Sequence, residues 1–186
     1  MKILLIDNGT SLMDKLEALI PGSTVEKAQK ISDVDDGVFD LTVLSGSRRE
    51  SVVWNHADFI EEMKFITKST KPVIGICFGC ELMAYAFGST LKELNPAHKG
   101  IRKIEIIDTT FSDQSSVSVY ESHRWIIDKL SDQFKVLAKS PEGPEIIQHV
   151  SRPLFGLQFH PENMVDQTDG DEIFNNVIQR LTKSQP

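Results

Sequence analysis

The apolar run Val73-Ile74-Gly75-Ile76 ends in Gly-x-Cys-x-Gly and passes at once into a segment of helical character. A strand that turns this sharply into a helix can place one side chain at its tip, and here that residue is Cys77. The pattern therefore fixes a strand, a tight turn and a helix in succession. Glycines at 75 and 79 are expected to let the backbone make a turn that a Cβ would obstruct. At the tip, the unpaired N–H groups and dipole of the helix N-terminus are expected to favour thiolate over thiol. A cysteine in such a place can equally be a buried packing residue, because free cysteine is among the most buried residue types. The choice depends on whether the chain supplies a base.

Residues 154–159 read as a second apolar strand, and they run directly into His160-Pro161-Glu162. A cysteine nucleophile needs a base, and the base needs a group that fixes its tautomer and orientation. His160 and Glu162, two apart at a strand end, can supply both, and Pro161 restricts the backbone between them. The expected catalytic set is thus Cys77, His160 and Glu162.

With these residues in place the chain resembles the class I (triad) glutamine amidotransferases. Their glutaminase domains carry a Gly-x-Cys-x-Gly elbow and, near the C-terminus, Phe-His-Pro-Glu, which here is Phe159-His160-Pro161-Glu162. The resemblance spans nearly the whole chain, from Ile6-Asp7-Asn8-Gly9 to the last helix. It implies hydrolysis of the side-chain amide of L-glutamine to glutamate and ammonia through a γ-glutamyl thioester, without a cofactor. It also implies a separate ATP-dependent synthetase subunit that receives the ammonia. The segment Val119-Tyr120-Glu121-Ser122-His123 is similar to the branch that feeds GMP synthesis, which makes Ser122 and His123 candidate substrate-binding residues. The N–H of Phe78 is the expected first oxyanion donor, and Gly46 in the loop Ser45-Gly46-Ser47-Arg48 the second. Related chains often read Ser-Gly-Gly-Pro in this loop, so it is expected to be less preorganised here and open to ordering by a partner.

Glu81 is a second departure, since the family usually has Gln one turn past the nucleophile, where it helps hold the substrate. An ionised carboxylate only accepts hydrogen bonds. It would attract the α-ammonium of glutamine and repel its α-carboxylate. That leaves open an alternative enzyme, a stand-alone γ-glutamyl peptidase or hydrolase acting on a γ-glutamyl conjugate. Cys77-Phe78-Gly79-Cys80 is also a Cys-x-x-Cys. A dithiol redox protein would leave His160-Pro161-Glu162 unexplained, but a reversible Cys77–Cys80 disulfide that stops catalysis remains an expectation to test. No further ligands stand at zinc-binding spacing from it, so no metal site is expected. His56, His98 and His149 have no motif around them and read as ordinary surface or partly buried residues. A non-catalytic regulator would have no use for all three triad groups.

The remaining pattern sets the frame. Apolar strands at 2–6, 39–44 and 72–76 alternate with helical segments at 12–20, 59–67 and 81–87, with Thr10 or Ser11 as candidate N-cap of the first helix. This is the signature of an α/β fold whose open, mainly parallel sheet carries helices on both faces. After residue 100 the strands become short and successive, which predicts an antiparallel extension, and 171–181 closes the chain as an amphipathic helix. With 186 residues one domain, 1–186, is expected. Net charge −7 argues against nucleic-acid binding. No apolar run reaches membrane-spanning length, the first strand is too short for a signal peptide, and two cysteines three apart form no disulfide framework; a cytoplasmic protein is expected. Neither a Walker-type nucleotide loop nor a Ser-Gly-Gly-x-Asp-Ser motif is present, so the acceptor chemistry is expected on another polypeptide.

Overall fold

The computed structural model describes residues 1–183. Its sheet has nine strands in the order β2-β1-β3-β4-β9-β8-β7-β5-β6. Strands β1 (Ile3–Asp7), β2 (Thr24–Lys27), β3 (Leu41–Leu44), β4 (Val73–Ile76) and β9 (Leu154–Leu157) pair in parallel. Strands β5 (Thr90–Ile106), β6 (Ser116–Lys129), β7 (Phe134–Lys139) and β8 (Pro144–His149) extend it antiparallel from β9. The sheet is mixed, and its parallel half carries the crossovers.

Strands β1, β3, β4 and β9 are buried at every position. Alternate side chains therefore feed two cores. Ile3, Leu5, Leu41, Val43, Ile74, Ile76 and Leu157 face one side with Leu16 of α1 (Met13–Leu19) and Ile173, Phe174, Val177 and Leu181 of α5 (Gly170–Lys183). Leu4, Ile6, Leu44, Val73 and Leu154 face the other, under α2 (Val52–Asn55), α3 (Ile60–Lys68) and α4 (Phe78–Ala86). A strand covered on both faces needs apolar side chains at both parities, which is why these four read as continuous apolar runs.

Two expectations need correction. The first helix begins at Met13 behind Leu12, with no side-chain cap; Thr10 instead accepts the Leu12 N–H on Oγ1 at 3.1 Å. Strands β5 and β6, of 17 and 14 residues, are far longer than the short strands expected in this part of the chain, and Ser122-His123 lies within β6. No helix among the described residues is long and apolar enough to cross a membrane.

Candidate active site

Cys77 sits between β4 and α4 with φ 49° and ψ −106°, a conformation a side chain adopts only under strain of about 1–3 kcal/mol. Its N–H donates to Leu157 O at 2.7 Å and its carbonyl accepts the Glu81 N–H at 2.9 Å, so neighbouring elements hold it there. The flanking glycines serve close approach rather than positive φ. A Cβ on Gly75 would lie 2.5 Å from the backbone of Gly79, and a Cβ on Gly79 would lie 2.6 Å from Leu44 O. The missing side chains let α4 start directly against the ends of β3 and β4.

His160 follows β9 and donates its N–H to Tyr120 O of β6 at 2.9 Å. Its Nδ1 is 2.8 Å from Glu162 Oε1, with both side chains buried. The imidazole stands beside the Cys77 thiol, close enough for each to shift the other's proton affinity. Burial pushes the thiol above its ordinary value, and the attraction of His160 offsets this only in part. The helix N-terminus was expected to favour thiolate; burial outweighs it. Burial also works against a charged His160, yet Cys77 and Glu162 raise its proton affinity well above that of a free imidazole. The two groups thus act as one unit. Thiolate forms when the proton moves to an imidazole that Glu162 is placed to steady.

The loop after β3 closes over this pair. A Cβ on Gly46 would lie 3.1 Å from His160 Cε1 and 3.6 Å from Cys77 Cβ, so the backbone of residue 46 reaches the reacting groups because it has no side chain. Ser45 is fully buried; its N–H donates to Ile6 O, and its Oγ accepts the Asn8 N–H at 2.9 Å. Asn8 Nδ2 donates to Ser45 O and to Glu62 Oε1, both at 3.1 Å. The Arg48 N–H donates to Gly9 O at 3.2 Å. The loop is therefore tied at Ser45 and again at Arg48, despite lacking the second glycine and the proline. Asn8 and Glu62 were not legible as site residues, since a buried polar side chain announces itself only through its partner.

A cavity of about 360 Å³ opens over Cys77, within the range of small-molecule sites. Phe78, Glu81, Ser122 and His123 line it, as do Trp54 and Trp125, whose rings meet edge-on at 5.4 Å. Arg48, Arg49, Lys99 and Arg124 add positive charge. Glu81 is buried and accepts a hydrogen bond from Gln158 Nε2 at 3.0 Å. Burial raises its pKa to about 8, although Gln158 and His160 pull the other way. The expectation of an ionised acceptor is therefore corrected: at neutral pH the carboxyl is mostly protonated, with one donor and one acceptor oxygen, much as glutamine has.

Glu62 is likewise raised to about 8 by burial, against the bond from Asn8. Both groups keep their protons while the unfolded chain releases them above its ordinary value of 4.5. Stability therefore falls as pH rises from there to about 8, and is flat beyond. The neutral isosteres Glu81→Gln and Glu62→Gln will each raise the melting temperature at about pH 9 and leave it unchanged at about pH 4. At roughly 1.4 kcal/mol per unit the ceiling is about 5 kcal/mol apiece. Thermal melts across that range provide the check.

Cys80 is buried on the opposite core face, where a Cβ on Gly156 would lie 2.6 Å from its Sγ. Burial, then Glu81, holds its thiol well above the ordinary value, so it packs as a small apolar side chain. His98 is not the unremarked histidine its sequence context suggests. Across the β5–β6 pair it meets Glu121 and His123, and these three can reach a common ion. The sequence showed no such cluster because the ligands come together only through strand pairing.

The sequence pattern of the family "Glutamine amidotransferase class-I" matches residues 4–180. The chain is 32% identical over 188 residues to the glutamine-hydrolyzing GMP synthase subunit of Saccharolobus solfataricus, covering 94% of this chain and 90% of that one. It is 32% identical over 162 residues to the GMP synthase of Dictyostelium discoideum, covering 80% of this chain but 22% of that longer one. Among solved structures, a protein from Thermoplasma acidophilum assigned to the GMP synthases superposes with a TM-score of 0.86 at 25% identity, covering 98% of this chain and 94% of the other. The chain belongs to the class I glutamine amidotransferases.

Proposed function

We propose that residues 1–186 act as one amidotransferase domain that hydrolyses the side-chain amide of L-glutamine and passes the ammonia to a separate ATP-dependent synthetase subunit of GMP synthase. The observation that carries this reading is the strained Cys77 facing His160, with Glu162 2.8 Å behind the imidazole. Cys77 Sγ attacks the amide carbon, and its proton moves to His160. The tetrahedral oxyanion lies against the Phe78 N–H at the start of α4 and the backbone of Gly46. His160 protonates the leaving nitrogen, ammonia departs, and a γ-glutamyl thioester remains. Water, deprotonated by His160, then attacks the thioester; glutamate leaves and the thiol is restored.

Protonated Glu81, held by Gln158, occupies the place of the usual glutamine without adding charge. That removes the repulsion of the substrate's α-carboxylate that an ionised Glu81 would cause. The basic residues of the cavity suit an α-carboxylate, and Ser122 and His123 complete the wall. The family and the GMP synthase relatives make the cytoplasm the expected compartment.

The test is release of glutamate and ammonia from L-glutamine, measured with and without the synthetase partner. Wild type should turn over, and Cys77→Ala should lose all activity above background in both settings. Release of an amine from γ-glutamyl conjugates, with no ammonia from glutamine in either setting, would favour the peptidase reading. Turnover only with the synthetase would show that the partner is needed to activate the site.

A further inference from the structure

Strand pairing in the β5–β6 hairpin sets His98 opposite His123, and Glu121 lies two residues before His123 on the same face. A register shift between Glu93 and His98 re-aims the β5 side chain toward this face. One donor atom from each of the three residues lies within 4.8 Å of the other two. Glu121 Oε2 is 3.1 Å from His98 Nδ1 and 3.4 Å from His123 Nε2. Nitrogen and oxygen ligands at 2.0–2.1 Å in tetrahedral array around zinc stand roughly 3.3 Å apart. Both carboxylate–imidazole distances already match this spacing.

One outer contact also matches, and a second carboxylate stands near the other ring. A metal-bound histidine usually donates its other ring N–H to a carbonyl or carboxylate. His123 Nδ1 lies 3.1 Å from Trp125 O, and His98 Nε2 lies 3.6 Å from Glu142 Oε1. With its proton on Nδ1, His123 turns a lone pair toward a carboxylate oxygen. His123 Nε2 and Glu121 Oε1 make no hydrogen bond, although both side chains are only 1% exposed. Glu121 Oε2 is already shared with His98 Nδ1, and two buried polar atoms left without a partner beside it make room for a cation. The nearest fixed cation, Arg102, reaches Glu121 only at 3.9 Å from a side chain 43% exposed.

We propose that His98, Glu121 and His123 bind a divalent transition-metal ion of the zinc class on the wall of the cavity that holds Cys77. Two imidazoles and one carboxylate suit zinc or cobalt over magnesium or calcium, which prefer all-oxygen shells. The ion clamps β5 to β6, an edge pair otherwise held by backbone bonds and by exposed ion pairs, Arg124 with Glu93 and Lys92 with Asp128. Binding is independent of the amide chemistry.

The test uses the full chain as Cys77→Ser, so that the nucleophile cannot compete for metal. After chelator treatment it is titrated with Co²⁺, followed by visible absorption, and with Zn²⁺, followed by calorimetry and thermal melting. One equivalent should bind, with Co²⁺ d–d bands of a four- or five-coordinate site, and Zn²⁺ should raise the melting temperature. His98→Gln keeps the size of a side chain that is 11% exposed and should fold with an unchanged metal-free melting temperature. It should weaken binding at least tenfold, and His123→Gln should do the same. Absence of binding up to about 100 μM metal, or equal affinity in wild-type and His98→Gln backgrounds, overturns the assignment.

Discussion

Alanine in place of Gly75 will break the elbow. Its Cβ would lie 2.5 Å from Gly79 C and O and 2.7 Å from Cys80 N. These are backbone atoms of the first turn of α4, so no side chain can swing aside; the helix must move. Overpacking of this kind destabilises by about 1–3 kcal/mol or more. The melting temperature should drop by roughly 5–10 °C. Displacement of Cys77 from His160 and the oxyanion donors should lower glutaminase activity at least about a hundredfold. Gly46→Ala separates the two effects. Its Cβ meets side chains only, at 3.1 Å from His160 and 3.6 Å from Cys77. It should melt near wild type while losing activity on the order of a hundredfold or more. Thermal melts and glutaminase assays of both variants form the comparison. Normal activity in Gly75→Ala would mean that the elbow does not depend on the β4–α4 contact.

The parallel half of the molecule was legible because burial on both faces leaves an unmistakable pattern. Leu4, Leu5 and Ile6 are fully buried, and so are Leu154 and Leu157 before His160. Each run ends where a functional residue begins, as carboxyl ends of parallel strands tend to do. The hairpin β5–β6 was not legible at its true length. Most of β5 is exposed and rich in Lys, Glu and Arg, so no apolar period marks it. Its pairing to β6, with a register shift, is a tertiary fact, and the His98–Glu121–His123 cluster depends on it. Glu81 shows a different limit. Its identity could be read, but its charge could not, because ionisation follows burial and the Gln158 contact rather than residue type. The same holds for Cys77, where burial reverses the effect expected of a helix N-terminus.

Glu162→Gln will leave the fold intact and remove most of the activity. The carboxyl is 1% exposed and accepts at 2.8 Å from His160 Nδ1, so the neutral isostere fits the same space. A carboxylate there can only accept, which keeps the Nδ1 proton in place and leaves Nε2 for the thiol. An amide can turn its NH₂ toward Nδ1 and stabilise the opposite tautomer, with the proton on Nε2 facing Cys77. The imidazole then cannot take the thiol proton, and the imidazolium formed in the reaction loses its counter-charge. In the serine-protease triad the equivalent change lowers kcat by about 10⁴. A thiol is the more acidic nucleophile, so a loss of about 10²–10⁴ is expected here. His160 owes part of its raised proton affinity to Glu162. The rate of Cys77 alkylation by iodoacetamide, which needs no partner, should therefore change its pH profile. The thiolate–imidazolium pair will be weaker, and reactivity near neutral pH will fall toward that of an unassisted buried thiol. If Glu162→Gln kept both the wild-type kcat and the wild-type alkylation profile, Glu162 would be a packing residue and the working unit a Cys–His pair alone.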